Sequence, residues 1–171
     1  VLYASAGPGS AMHLAGAPFG IVTKTQLTHV PYKSGGATTT AVMSGEATTA
    51  FNTLETVLPL IQSKRVRALA VSTRERSPAL PAVPTAIEAG IRDYEVTGWF
   101  GLMAPKGTPA SIVDRLSREA AAAMQSPDIR SRALQQGTVP IGNSPAEFER
   151  FLRSEIERWT KIIQQAGIRL E

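Results

Sequence analysis

The glycine-rich stretch SAGPGS, residues 5–10, carries the clearest chemistry in the sequence. It lies between an apolar stretch typical of a β-strand and a stretch typical of a helix. Gly7 and Gly9 allow a ligand to approach the main chain closely, and a turn at a helix N-terminus exposes N–H groups at the positive end of the helix dipole. The hydroxyls of Ser5 and Ser10 can add hydrogen-bond donors. The pattern predicts a site for a carboxylate or phosphate group; the alternative is a tight turn that binds nothing.

Two further turns are expected at the same edge of the protein. The loop PYKSGG at residues 31–36 follows the second predicted strand, and FNT at residues 51–53 follows the third. The carboxyl ends of parallel strands meet at one edge of a sheet, where open α/β folds bind ligands, so we expect the three turns to converge. Tyr32 is a candidate to line the site with its ring and to donate a hydrogen bond from its hydroxyl. The alternative is that it is an exposed aromatic residue of the loop. His13 either faces the ligand or has a structural role.

Residue types suited to covalent or metal chemistry are scarce. The sequence has no cysteine and only two histidines, His13 and His29. It contains no G-x-S-x-G nucleophile motif, no G-x-x-x-x-G-K-[ST] phosphate loop and no cluster of metal-ligating residues. We therefore expect no catalytic residue, no metal site and no cofactor. An α/β enzyme acting on a small carboxylated or phosphorylated substrate stays open as an alternative, with His13 as its only candidate base.

Composition narrows the class of protein further. A chain of 171 residues with 43% hydrophobic residues is sufficient for a folded core. The net charge is +4, but the basic residues are dispersed as short pairs and no nucleic-acid-binding motif is present, so we expect no nucleic-acid partner. No stretch approaches the roughly 20 consecutive apolar residues of a membrane-spanning helix.

The first half of the chain alternates predicted strands and helices, which is typical of an α/β fold with a parallel sheet. Ser10 is expected to be the N-cap of the first helix. The nearly continuous apolar run VRALAVS, residues 66–72, predicts a strand buried on both faces. The predicted strands are 1–5, 26–30, 47–51 and 66–72, and the predicted helices are 10–23, a short helix ending at 43, and 53–64.

The second half of the chain differs from the first in its predicted secondary structure. Residues 77–84 contain three prolines and should be extended, a short helix is expected near residues 85–89, and residues 94–104 predict a long strand. Three helices follow, with start signals at Thr108-Pro109, at Ser126-Pro127 and at a capping box from Ser144 to Glu147. Gly167 is expected to end the last helix.

Four stretches together resemble the substrate-binding proteins of tripartite tricarboxylate transporters, the TctC or Bug family: YASAGPGSAMHLAG, HVPYKSGG, RALAVSTRERSPALPAVPTAIEAG and YEVTGWFGLMAPKGTP. The final segment, GNSPAEFERFLRSEIERWTKIIQQAGI, looks like the end of the same family, so the resemblance covers essentially the whole chain. It implies an α/β fold of the type II periplasmic binding protein kind. Residues 1–97 would form the second (middle) ligand-binding lobe, and residues 98–171 the crossover strand and C-terminal helices of the first lobe.

Family members are about twice as long as this chain, so the resemblance implies a fragment that lacks an N-terminal stretch. The C-terminal helices should then be poorly covered. A second copy of the chain or a companion N-terminal segment is expected to cover them. Lobe closure would occur about the crossover at residues 98–101.

The resemblance also implies a function. It predicts a periplasmic solute-binding protein, and not an enzyme, that captures a small organic carboxylate in the cleft between lobes and delivers it to the membrane permease of the tripartite transporter. Main-chain N–H groups and ordered water would hold the carboxylate. The implied ligand-binding residues are Ser5, Ala6, Gly7, Gly9, Ser10, His13, Tyr32 and Asn52.

Asn52 departs from the family pattern, because many relatives have Asp at this position. Loss of the acid removes a partner for a ligand amine and favours a plain carboxylate over an amino acid. A truncated protein that binds no ligand and only associates with another protein is the remaining alternative.

Overall fold

The computed structural model describes residues 1–168 as a small parallel sheet with flanking helices, followed by a helical half. The sheet order is β2-β1-β3. The elements are β1 (Leu2–Ser5), α1 (Ala11–Thr23), β2 (Thr28–Pro31), α2 (Gly35–Ser44), β3 (Thr49–Ala50), α3 (Leu54–Gln62), α4 (Ala110–Gln125), α5 (Pro127–Gln135) and α6 (Pro145–Ala166).

Strand β1 is the middle of the sheet and pairs in parallel with both neighbours. The chain passes from β1 through α1 to β2 on one side, and then crosses back through α2 to β3 on the other side. Because such crossovers are right-handed, the reversal of direction places α1 and α2 on opposite faces of the sheet. The carboxyl ends of β1 and β3 therefore flank a topological switch point, the usual ligand site of open α/β sheets.

Alternation along β1 divides the interior into two faces. Tyr3 is aligned with His29 of β2, and its ring also contacts Phe51, so these aromatic groups share the face covered by α1. A Cβ at Gly16 of α1 would collide with the Tyr3 ring, which explains the glycine there. Ala4 points to the opposite face, where it forms a buried cluster of small residues with Ala41 and Ala47.

Several helix ends lie where the local sequence predicts them. The Ser10 hydroxyl caps α1 by accepting from the His13 amide, and Ser144 and Glu147 form the predicted capping box of α6. Gly167 ends α6 with a left-handed φ of 63°. Helix α4 begins at Ala110 with Pro109 as its N-cap, one residue later than predicted.

The predicted strand at residues 66–72 is wrong. The segment is irregular and its Leu69 side chain is exposed. It meets extended chain at its C-terminal end, through the isolated bridge between Val71 and Thr85 and the hydrogen bonds between Ser72 and Val96. A strand exists only where a neighbour supplies the ladder hydrogen bonds. Within the part of the chain that the structure describes, no strand lies beside this run, so its apolar character does not produce a strand.

The predicted long strand at residues 94–104 is also wrong, because this segment has no strand partner among residues 1–168. It is held instead by Ser72, which exchanges hydrogen bonds with Val96, and by helix α6. The Glu155 carboxylate accepts hydrogen bonds from the indole N–H groups of Trp99 (3.2 Å) and Trp159 (3.1 Å), and the Trp99 ring packs edge-on against Phe148 and Phe151. Trp99 therefore anchors an extended segment whose neighbour Phe100 is 84% exposed.

The helical half has a large exposed apolar surface. No residue of α4 is buried, although its spacing predicts an inner face, and Glu155 is the buried residue of α6. This observation agrees with the expectation that the C-terminal helices are poorly covered. No helix within residues 1–168 is long and apolar enough to cross a membrane. The exposed apolar side chains of this half include Leu102, Met103, Ile112, Leu116, Val139, Ile141 and Ile156.

Replacement of Glu155 by alanine tests whether this carboxylate fastens the 94–104 segment to α6. Glu155→Ala removes the acceptor of two indole N–H groups, and we expect the free energy of unfolding to fall by about 2–3 kcal/mol. Glu155→Gln keeps an acceptor and should cost less. Glu157→Ala, at an exposed position of the same helix, is the matched control. Urea unfolding followed by tryptophan fluorescence measures all three; equal stability of the Glu155 and Glu157 variants would contradict the assignment.

Candidate functional site

The loop after β1 turns sharply into α1. Gly7 has a φ of 107° and Gly9 a φ of 73°, both in the region that favours glycine, so the two glycines are needed for the turn itself. The Ser5 side chain is fully buried under the loop, whereas Ser10 is half-buried at the helix start. We name residues 5–10 the β1–α1 loop.

Part of the hydrogen-bonding capacity of this loop is used internally. The Gly7 amide donates to the Ser5 hydroxyl (3.1 Å), and the Ser10 hydroxyl donates to the Gly7 carbonyl (2.7 Å). The Gly9 amide donates to Nδ1 of His13 (3.0 Å). The loop thus occupies two of its own glycine amides.

Three amides remain open beside the occupied ones. The N–H groups of Ala11 and Met12 belong to the first turn of α1, where a helix offers no acceptor. Within residues 1–168, no hydrogen bond is formed by the Ala6 amide either. Ala11 is an exposed residue. These donors lie at the positive end of the α1 dipole, which favours an anion.

The two histidines of the chain meet beside this loop. Their rings are stacked, with centroids 3.9 Å apart and planes within 8° of each other. His29 Nε2 lies 2.5 Å from the Ser5 hydroxyl oxygen. Burial lowers the pKa of both imidazoles, and the neighbouring His13 lowers that of His29 further. Burial also raises the pKa of the adjacent Tyr3 hydroxyl to about 12, so Tyr3 is neutral at physiological pH.

Sequence analysis did not include His29 in the site. The sequence feature that could have placed His29 in the site is the alternation of side chains along a strand. Once Tyr3 and Ser5 are placed on one face of β1, a parallel neighbour in register places His29 on the same face. The register itself is a tertiary property.

Tyr32 and Asn52 follow β2 and β3, but their side chains lie on the α2 face rather than beside the histidines. The Tyr32 ring packs against the Ala4 cluster, and its buried hydroxyl has no hydrogen-bond partner within residues 1–168. Burial, together with the nearby Glu46 carboxylate, raises the pKa of this hydroxyl. The Asn52 carbonyl oxygen accepts from the Thr38 hydroxyl at 3.1 Å. The site residues therefore form two groups on opposite faces of one sheet edge, and ligand contacts by Tyr32 and Asn52 stay predictions.

A cavity of about 280 Å³ lies between α1, the sheet and the end of α6, with both imidazoles in its wall. Its lining combines glycine, alanine and aliphatic side chains with the polar groups of a tyrosine, a threonine and the two histidines. The residues that line it are Tyr3, His13, Gly16, Ala17, Gly20, Ile21, Thr25, Leu27, His29 and Ala166.

The arrangement is suited to holding an anion by backbone donors. No group of three or more potential metal ligands lies close together within residues 1–168. The Ser5–His29 pair is the nearest approach to a nucleophile and base, but the Ser5 side chain is fully buried. A parallel sheet with a glycine-rich turn at its switch point is the arrangement of an open α/β lobe, a fold that commonly binds ligands at this edge.

Comparison with known families identifies this lobe more closely. The chain belongs to the tripartite tricarboxylate transporter receptor family, TctC, whose model matches residues 1–168. A UPF0065 protein from the tcbD-tcbE intergenic region of Pseudomonas sp. strain P51 is 38% identical over 162 residues, which are 94% of this chain and 48% of that protein.

Two solved structures share the fold. R. palustris Rpa4515 with adipate has a TM-score of 0.90 at 34% identity, covering 98% of this chain and 56% of that chain. MatC from Rhodopseudomonas palustris with bound malate has a TM-score of 0.83 at 30% identity, covering 95% and 56%. The fold is that of periplasmic binding proteins, and this chain spans about half the length of the three relatives described here.

The depressed histidine pKa values predict how stability depends on pH. Each folded-state pKa lies below the usual 6.5, so the unfolded chain binds more protons near and below that pH. The stabilisation is complete above pH 6.5 and is lost as pH falls through the folded-state values. We expect urea unfolding to give a lower free energy at pH 5.5 than at pH 7.5.

A variant with both His13→Gln and His29→Gln should lose less stability over the same interval. Glu88 and Glu147 do not contribute in this range, because their pKa values lie below the usual 4.5. The explanation would be refuted by an equal loss in the variant and in the parent chain.

Proposed function

We propose that the β1–α1 loop and the first turn of α1 bind the carboxylate of a small organic acid in a periplasmic solute-binding protein. The observation that carries this proposal is the set of open amides of Ala6, Ala11 and Met12 at a helix N-terminus, on a glycine turn that lets a ligand approach closely. Two proteins of the same fold hold adipate and malate, which are both dicarboxylates.

The proposed role in transport extends to the parts of the receptor around this lobe. In this proposal residues 1–97 form the ligand-binding lobe, and residues 98–168 supply the crossover and C-terminal helices of the other lobe; the end of the predicted 98–171 unit lies outside the described residues. The loaded receptor delivers its acid to the membrane permease of the tripartite transporter. The family membership supports this role, and the second lobe would complete the cleft.

An enzyme built on the same loop is the second candidate. The 2.5 Å contact between Ser5 and His29 favours it as a serine–histidine pair. Burial opposes it, because the Ser5 hydroxyl is enclosed by the loop and already bonds to Gly7, so a substrate carbonyl cannot reach it without loop opening. Binding without turnover is therefore the better supported function.

A single backbone donor can be removed with little effect on the fold. Ala11 occupies the first helical position of α1, and Ser10 before it has φ −64° and ψ 155°, which a following proline accepts. Ala11→Pro deletes one open N–H. We expect the affinity for adipate or malate to fall about tenfold, corresponding to roughly 1.4 kcal/mol for a charge-assisted hydrogen bond. Isothermal titration calorimetry measures it.

The matched control is Ala110→Pro, which places proline at the first position of α4, far from the loop in sequence. It should bind like the parent chain. Equal affinity of Ala11→Pro and the parent would exclude this amide from the site. If no small acid raises the melting temperature of the 171-residue chain, the non-binding alternative is favoured for it.

The exposed apolar surface of the helical half predicts association. We propose that it is covered by a second copy of this chain or by a companion N-terminal segment, because no residue of α4 is buried. Native mass spectrometry should show a species heavier than the 18.2 kDa chain. Ile112→Ser combined with Leu116→Ser should shift it toward the monomer. A bare monomer at all concentrations would refute the proposal.

A further inference from the structure

We propose that His13 is a specificity-determining residue that makes carboxylate binding at the β1–α1 loop depend on the uptake of one proton, an inference that rests on the function proposed above. In the unliganded protein the His13 imidazole accepts the hydrogen bond of the Gly9 amide, so this amide is not free to bind a ligand. When protonated it releases that donor and presents a positive charge to the ligand.

The hydrogen bond from Gly9 determines the starting state. The Gly9 amide donates to His13 Nδ1 at 3.0 Å, so Nδ1 carries a lone pair and no proton. His13 is the third residue of α1, and its own amide donates to the Ser10 hydroxyl. The imidazole thus acts like the acid of a capping box, accepting from the chain that enters the helix.

Protonation at Nδ1 reverses this contact. A protonated ring has two N–H donors and no acceptor, so it can no longer accept from Gly9. The Gly9 amide is then available beside the open Ala11 and Met12 amides. A carboxylate at the loop would receive both this amide and a charged donor.

Without an anion, the protonated form is unfavourable for three reasons. The imidazole lies at the positive end of the α1 dipole. The stacked His29 ring, with its centroid 3.9 Å away, leaves the cation poorly hydrated on one side. Burial itself lowers the pKa of His13. A bound carboxylate offsets all three, so binding and protonation support each other.

The stacked pair also limits the uptake to one proton. Two imidazolium rings at this separation repel each other strongly, so protonation of His13 opposes that of His29. His29 stays neutral and keeps its contact with Ser5.

Other charged groups around the pair do not supply the missing counter-charge. From β1 the facing titratable group is Tyr3, which is neutral because burial raises its pKa to about 12. From β2 it is His29 itself. The turn after β3 contributes Phe51, and α6 contributes Ala166. Within residues 1–168, the cavity wall beside the imidazoles contains no carboxylate, lysine or arginine. The ligand would be the first anion in contact with His13.

Two histidines make the test direct, because long-range ¹H–¹⁵N spectra of the imidazoles contain one set of signals for each. We titrate the 171-residue chain from pH 8 to pH 5 with and without saturating adipate. We expect adipate to raise the titration midpoint of His13 and to leave His29 neutral. Calorimetry in buffers of different ionisation enthalpy should show uptake of up to one proton. As the pH falls from the His13 midpoint with adipate to the midpoint without it, the affinity for adipate should rise by up to about tenfold per pH unit.

His13→Gln is the decisive variant. Glutamine at this position can still accept from the chain entering the helix but does not titrate. Whatever its affinity at pH 8, this variant should gain less affinity than the parent as the pH falls; the ligand's own titration affects both proteins alike. His29→Gln removes the stacked partner and should keep the proton uptake.

The possible outcomes separate this inference from the proposed function. Adipate binding with an unchanged His13 midpoint, or an unchanged pH slope in His13→Gln, overturns the proton linkage and leaves carboxylate binding intact. Absence of binding of adipate and malate at every pH overturns both.

Discussion

The parallel pairing of β1 with both of its neighbours is the constraint on which the rest of the structure depends. Because successive side chains of a strand point to opposite faces, this one strand sends Tyr3 and Ser5 toward α1 and Ala4 toward α2. The aromatic and histidine cluster on one side and the small-residue cluster on the other both follow from that alternation. The reversal of connections on either side of β1 then places its loop at a switch point.

The β1–α1 loop satisfies part of its own backbone hydrogen bonding. A buried or half-buried N–H that finds no acceptor is costly, and side chains of the loop and of α1 reduce this cost. Ser5 accepts from Gly7, and His13 accepts from Gly9. For the proposed ligand, the consequence is that it would compete with the protein for some amide donors and bind the open ones directly.

The helical half differs from the sheet in how little of its surface is buried. Its helices are well capped, yet they bury little, because capping is local and burial requires a partner surface. Glu155 illustrates the difference: one carboxylate between Trp99 and Trp159 fastens the extended segment, whereas the apolar side chains of α4 lie exposed.

Sequence alone determined the α/β class, the position of the glycine loop and most helix ends, because alternation, glycine conformation and caps such as Ser10, Ser144 and Gly167 act over a few neighbouring residues. The tertiary structure decided the rest. Residues 66–72 have the composition of a buried strand but pair with extended chain at an isolated bridge and not along their length. The stacking of His13 on His29 depends on the register of β2 against β1. Both outcomes depend on contacts between residues distant in the chain, which no local pattern encodes.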